Sequence, residues 1–185
     1  MHKASLRLQR SLAGLVVVDI QERLWPAMFE KERLLQNSVR LIQGCAALGV
    51  PIFATEQYPK GLGHSVPDIA AALAEVAPME KTAFSACGAS GFVAALEAKK
   101  ISQAVLCGIE AHVCVCQTGL DLLEKGLSVF VVADAVSSRT PENLHFGLER
   151  TRDAGAVIAS TEMALFELLE KAGTEEFKRI QSLIK

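Results

Sequence analysis

The stretch AVLCGIEAHVCVCQTGLDLLEK, from Ala104 to Lys125, runs an apolar segment straight into a helical one. Ala104 to Gly108 reads as a buried strand. Val115 to Lys125 carries helical spacing, and Gly126 supplies a C′ stop. Working outward, the same alternation repeats. Upstream, Gly14 to Ile20 reads as a first strand and Lys31 to Leu48 as an amphipathic helix stopped by Gly49. Pro51 opens a second strand, Ile52 to Thr55, and Glu56 to Ser65 reads as an aperiodic loop holding Pro59, Gly61 and Gly63. A short helix is expected over Pro67 to Val76, a third strand ending near Lys81, and a helix capped by Ser90 and running to Lys99. Downstream come a strand from Leu127 to Ala133, a helix from Thr140-Pro141 to Asp153, and a sixth strand from Ala156 to Ser160. A helix ended by Gly173 and a last amphipathic one, Glu175 to Ile184, close the chain.

Strands that are apolar throughout and separated by helices predict a parallel sheet covered on both faces. With right-handed crossovers and one reversal of strand order, the expectation is a three-layer α/β/α sandwich. Its sheet is six-stranded, mainly parallel and doubly wound. Residues 1–185 read as a single domain, large enough for a full core.

Composition narrows the function classes. The net charge is −2, half of the residues are hydrophobic, and the basic residues form no stripe. Nucleic-acid binding is therefore not expected. The apolar runs fall short of a membrane span, so no membrane partner is expected either. Lys3, Arg7 and Arg10 lie near the start without an accompanying acid, which leaves organelle targeting and a plain strand leader both open. Five cysteines, an odd number without regular spacing, point to a reducing compartment, by default the cytoplasm.

Chemistry concentrates where strands end. Cys114 sits at a strand-to-helix junction, where free N–H groups and the helix dipole favour a thiolate; buried core thiol and nucleophile are both open readings. Asp19 follows Leu15-Val16-Val17-Val18 and cannot point into that core uncompensated. It reads as a base for the thiol, a helix cap or an ion-pair partner. Lys81 reads either as a solvated partner of Glu80 or as a cation that lowers the Cys114 pKa and holds Asp19 ionised. Cys45, Cys87, Cys107 and Cys116 read as packing or loop thiols, since a C-x-C pair on a helix diverges too far to chelate. His112 ranks below Asp19 as a base. Glu56 and His64 are two metal-type ligands without a third, and His145 reads as a surface or packing residue. No metal and no cofactor is expected.

The motifs VVVDIQ (Val16 to Gln21), EKTAFSA (Glu80 to Ala86), GIEAHVCV (Gly108 to Val115) and VVADAVSSR (Val131 to Arg139) together resemble the isochorismatase-like cysteine hydrolase family over nearly the whole chain. The resemblance implies a catalytic triad of Asp19, Lys81 and Cys114. It also implies a cis peptide at Ile109–Glu110 that directs the backbone N–H groups of Glu110 and Cys114 at an oxyanion. It implies hydrolysis of a C–N bond in a small amide-like molecule through a thioester, and a homo-oligomer, dimer or tetramer. Where metal-dependent members place Asp-x-His, this chain has Glu56-Gln57-Tyr58, which counts against a bound zinc. The runs TEQYPKGLG (Thr55 to Gly63) and FKRIQSLIK (Phe177 to Lys185) are similar to isochorismatase-domain proteins of animals and some microbes, whose substrate is unsettled. Position near strand ends nominates Trp25, Tyr58 and Phe84 as lining for a small-molecule pocket. Two alternatives remain: a catalytically silent member that binds a partner, and an ether hydrolase of the isochorismate type with an idle thiol.

Overall fold

The computed structural model describes residues 7–185. Of the basic residues near the start, Lys3 therefore lies outside the described residues, whereas Arg7 and Arg10 lie within them. Six strands form one sheet in the order β3-β2-β1-β4-β5-β6, with every ladder parallel. They are β1 Ala13–Val18, β2 Ile52–Gln57, β3 Met79–Lys81, β4 Gln103–Ile109, β5 Ser128–Ser137 and β6 Val157–Ala159. The helices are α1 Lys31–Ala47, α2 Pro59–Leu62, α3 Pro67–Leu73, α4 Phe92–Ala98, α5 Cys116–Glu124, α6 Pro141–Asp153, α7 Thr161–Leu169 and α8 Glu175–Ile184. A π-helical turn, Ala111–Val115, joins β4 to α5.

The period of two along the central strands divides the core. Leu15 and Val17 of β1, with Val105 and Cys107 of β4, pack on one face against Leu41 and Ile42 of α1, Leu165 of α7 and Ile180 of α8. Val16 and Val18, with Leu106, pack on the other against Phe92 of α4, Leu122 of α5 and Leu144 of α6. Fully burying each such side chain stabilises by about 1.5–3 kcal/mol, and strands buried on both faces contribute twice per pleat. The chain runs outward from β1 through β2 to β3, then returns to β4 on the other side of β1. The carboxyl ends of β1 and β4 thus border the point where strand order reverses, the usual ligand crevice of open α/β sheets.

Several boundaries differ from the sequence expectation. Strand β2 continues through Glu56 and Gln57, and Pro59–Leu62 closes a helical turn within the expected loop. Ser90 does not cap α4; Gly91, at φ 80°, holds that position without a side-chain bond. Helix α7 stops at Leu169, and Glu170 adopts a left-handed φ of 68°, well before Gly173. Thr140, Ser160 and Thr174 each accept a backbone N–H bond and start α6, α7 and α8.

Candidate active site

The two ends at the reversal are brought close by Gly108. Its φ is 122°, and a Cβ there would lie 2.0 Å from the Val18 carbonyl oxygen. A side chain would therefore drive β4 away from β1. Asp19 then turns the chain with a left-handed φ of 52°, a conformation that Asp tolerates better than most residues. Its backbone N–H still reaches the Thr55 carbonyl at 3.2 Å.

The Asp19 carboxylate is wholly buried and fully partnered. Thr55 Oγ1 donates to its Oδ1 at 2.8 Å, and Lys81 Nζ donates to its Oδ2 at 2.6 Å. Lys81 is equally buried, with no exposed side-chain surface. Besides Asp19, its ammonium reaches Gln57 Oε1 at 2.8 Å and the carbonyls of Phe84 at 2.9 Å and Ala83 at 3.3 Å. Glu80 is exposed beside it, so the Lys81–Glu80 surface pair does not form.

Cys114 lies inside the π turn, buried, with the charges of Asp19 and Lys81 and the backbone of Glu110 acting on its thiol. Asp19, Lys81 and Cys114 therefore meet at one point. The Ile109–Glu110 peptide bond is cis. The expected thiolate is not the resting state. Burial pushes the Cys114 thiol up to about 12, and the Asp19 charge and hydrogen bond add to the rise. The Lys81 charge and the Glu110 N–H only oppose it. A helix N-terminus lowers a thiol pKa where the sulfur is solvated or faces cations; here it is desolvated against an anion.

The remaining sequence candidates separate cleanly. His112 hydrogen-bonds with Ser138 Oγ at 3.0 Å through Nδ1 and is not the partner of the thiol. His145 pairs with Glu149 on the exposed face of α6. Cys45, Cys107 and Cys116 are core thiols, Cys87 is partly exposed, and all five cysteines are free. Glu56 directs one carboxylate oxygen to His64 Nδ1 at 2.9 Å and the other to the N–H and hydroxyl of Ser65. Among the described residues no group of three or more His, Cys, Asp or Glu side chains converges as metal ligands.

Of the aromatic pocket candidates, Tyr58 borders a cavity of about 450 Å³ together with Lys60, Glu80, Lys81, Thr82 and Ser90. Neither Asp19 nor Cys114 lines that cavity, so it meets the three-residue cluster only on the Lys81 side. Trp25 does not line that cavity. It packs on Met28, Leu34 and Ile109, and its indole N–H donates to the Lys31 carbonyl at 3.2 Å. Phe84 is 54% exposed, and it is the backbone carbonyl of this residue that reaches Lys81.

Sequence reasoning missed Thr55, Gln57 and Gln21. Thr55 and Gln57 share one face of β2 by the period of two, and Gln57 stands in register with Lys81. That alternation would have exposed them had the strand been carried two residues further. Gln21, fully buried, accepts from Gln57 N at 2.7 Å and donates to the carbonyls of Gln57 and Gly63.

The isochorismatase domain matches residues 13–163. This chain belongs to the isochorismatase family. Isochorismatase domain-containing protein 2 of Danio rerio is 40% identical over 178 residues, covering 96% of this chain and 89% of the relative. The structure of MAR1 ribonuclease from Caenorhabditis elegans superposes with a TM-score of 0.91 at 41% identity, covering 96% of this chain and 92% of that one. YcaC from Pseudomonas aeruginosa, determined with hexane-2,5-diol and covalent acrylamide, superposes at 0.89 with 25% identity, covering 96% of this chain and 91% of that one. The all-parallel three-layer sandwich is thus the hydrolase fold of the isochorismatase family. Among the described residues, no helix is long and apolar enough to cross a membrane.

Proposed function

We propose that this isochorismatase-family chain is a cysteine hydrolase that cleaves a C–N bond of a small amide-like molecule through a thioester. The observation that carries the reading is the meeting of Asp19 with both a buried ammonium, at 2.6 Å, and the Cys114 thiol. A carboxylate fixed between a cation and a thiol can take the thiol proton as the sulfur attacks. The raised thiol pKa makes this transfer part of the attack and not a step before it. The proton goes to Asp19, the sulfur bonds to the carbonyl carbon, and the carbonyl π pair moves to oxygen. The backbone N–H groups of Glu110 and Cys114 are the donors we assign to that oxyanion. Collapse breaks the C–N bond, with Asp19 returning its proton to the leaving nitrogen. Water then attacks the thioester, giving up a proton to Asp19, and the released thiolate recovers it.

Lys81 does not donate to substrate in this scheme. Its protons are taken by Asp19, Gln57 and the Phe84 carbonyl, so it acts by aiming the Asp19 carboxylate. Covalent acrylamide in the Pseudomonas aeruginosa relative supports a nucleophile that accepts small amide-bearing electrophiles on this fold. The free thiols suit the reducing cytoplasm. Self-association is supported by the exposed Met163 and Phe166 on α7 and Phe146 on α6.

The test is a screen of amides, ureides and nitriles, with isochorismate and RNA as further arms, read by product formation and by the mass of the Cys114 peptide. The expected result is turnover of an amide-type compound, an acyl adduct on Cys114, and no turnover by a folded Cys114→Ala variant. Isochorismate cleavage that survives Cys114→Ala would establish the ether hydrolase instead. Binding of a partner with no turnover of any arm would establish the silent member.

A further inference from the structure

The ammonium of Lys81 has a neutral neighbour whose orientation leaves no freedom. Gln57 Nε2 donates to the Thr82 carbonyl at 2.8 Å, while its Oε1 accepts from Lys81 Nζ at 2.8 Å. Turning the amide over would set an NH₂ against an ammonium and an oxygen against a carbonyl, so the network dictates one orientation. The main chain of Gln57 is held just as firmly. Its N–H donates to Gln21 Oε1 at 2.7 Å and its carbonyl accepts from Gln21 Nε2 at 3.0 Å. The third bond of the Gln21 amide, from Nε2 at 2.6 Å, ties in the Gly63 carbonyl. Gln21 is fully buried and Gln57 nearly so, so neither pairs with water by default.

We propose that Gln57 is a positioning residue for the nucleophile: its oxygen steers the Lys81 ammonium, and its neutrality leaves Asp19 as the only carboxylate on that ammonium among the described residues. This rests on the catalytic reading of Asp19, Lys81 and Cys114.

Charge arithmetic explains why an amide stands here and not an acid. The charged groups around the Gln57 side chain are Asp19 from the end of β1 and Lys81 from β3. Glu56, the preceding residue, is taken up by His64 and Ser65. Lys81 is the cation that opposes the rise of the Cys114 thiol. A second carboxylate at position 57 would divide the ammonium between two anions. It would weaken the hold on Asp19 and add negative charge near the sulfur. Two buried carboxylates on one cation do not both ionise readily, so such a variant takes up a proton on the acid side of neutrality. Its protonated carboxyl reproduces the amide, donating through O–H to the Thr82 carbonyl and accepting from Lys81 through C=O.

The experiment needs no substrate. Alkylation of Cys114 by iodoacetamide is followed by peptide mass from pH 5 to 9 in the unaltered protein, in Gln57→Glu and in Gln57→Leu, with thermal unfolding as a control on folding. For Gln57→Glu, the rate relative to the unaltered protein should be close to one at the acid end. It should fall by about ten-fold or more toward pH 9, a shift of about one pKa unit. Gln57→Leu, which removes the acceptor but adds no charge, should lower the relative rate equally at every pH. A Gln57→Glu ratio that does not change with pH, or stays near one throughout, overturns the inference while leaving the catalytic reading intact. Slow, non-selective labelling of Cys114 in the unaltered protein overturns the catalytic reading, and this inference with it.

Discussion

Two carboxylate pairs flank the end of β2, and they do opposite things. Asp19–Lys81 closes at 2.6 Å with neither side chain exposed. Glu56–His64 closes at 2.9 Å with the histidine 76% exposed. The first removes both charges from water and must replace every lost hydrogen bond, which Thr55, Gln57 and two carbonyls accomplish. The second keeps its imidazole in solvent and fastens the 58–65 loop to the sheet. In the inner pair the charge of Asp19 is felt at the sulfur nearly unscreened; in the outer pair water attenuates it. Burial, and not the presence of an ion pair, separates the pair that the proposed mechanism uses from the one that fastens a loop.

The largest expected break in this contrast is Lys81→Met. It leaves the Asp19 carboxylate buried and unpaired, which costs about 3–5 kcal/mol. The urea midpoint should drop accordingly, and turnover should vanish. Adding Asp19→Asn to Lys81→Met should recover much of that stability without any activity, showing that the pair is kept for reactivity. A smaller effect is expected from Thr55→Val, which strips one hydrogen bond from a buried charge. Denaturant unfolding should show a loss of about 1.5–3 kcal/mol.

A third expectation concerns pH. The folded-state pKa values of Cys45 and Cys114 both lie at about 12 against an ordinary 9.0, and burial raises Cys107 as well. For an acid raised by folding, the unfolded chain loses its proton first. The stabilisation is therefore complete below pH 9 and declines as pH rises, by about 1.4 kcal/mol per thiol per unit above that value. Urea unfolding at pH 8 and pH 10 should show this alkaline loss, and Cys114→Ala should reduce it by one thiol's share. The smallest effect belongs to the outer pair: His64→Gln should leave the unfolding midpoint within measurement error, since the ring is solvated.

Much of this was legible in the sequence, for definite reasons. β1 and β4 are buried on both faces, so their unbroken apolar runs announce a parallel sheet, and Thr140-Pro141 announces the start of α6. The end of β2 was not legible, because Glu56 and Gln57 are polar and sequence pattern cannot know that they are buried with partners. Likewise, the positions of Asp19, Lys81 and Cys114 at strand ends could be read, but the state of the thiol could not. A junction suggests a helix dipole; only three dimensions show that the sulfur is desolvated and set against Asp19. The π turn and the left-handed Asp19 leave no local signature.

The most direct test of the central claim sets accessibility against reactivity. The native protein is treated with acrylamide at neutral pH, and the modification rate of each cysteine is read by peptide mass. If Asp19 serves the sulfur as a base, Cys114, only 6% exposed, is modified ahead of the more exposed Cys87. If the thiols react in order of exposure, with Cys87 first and Cys114 no faster than the core cysteines, the account of this site is wrong.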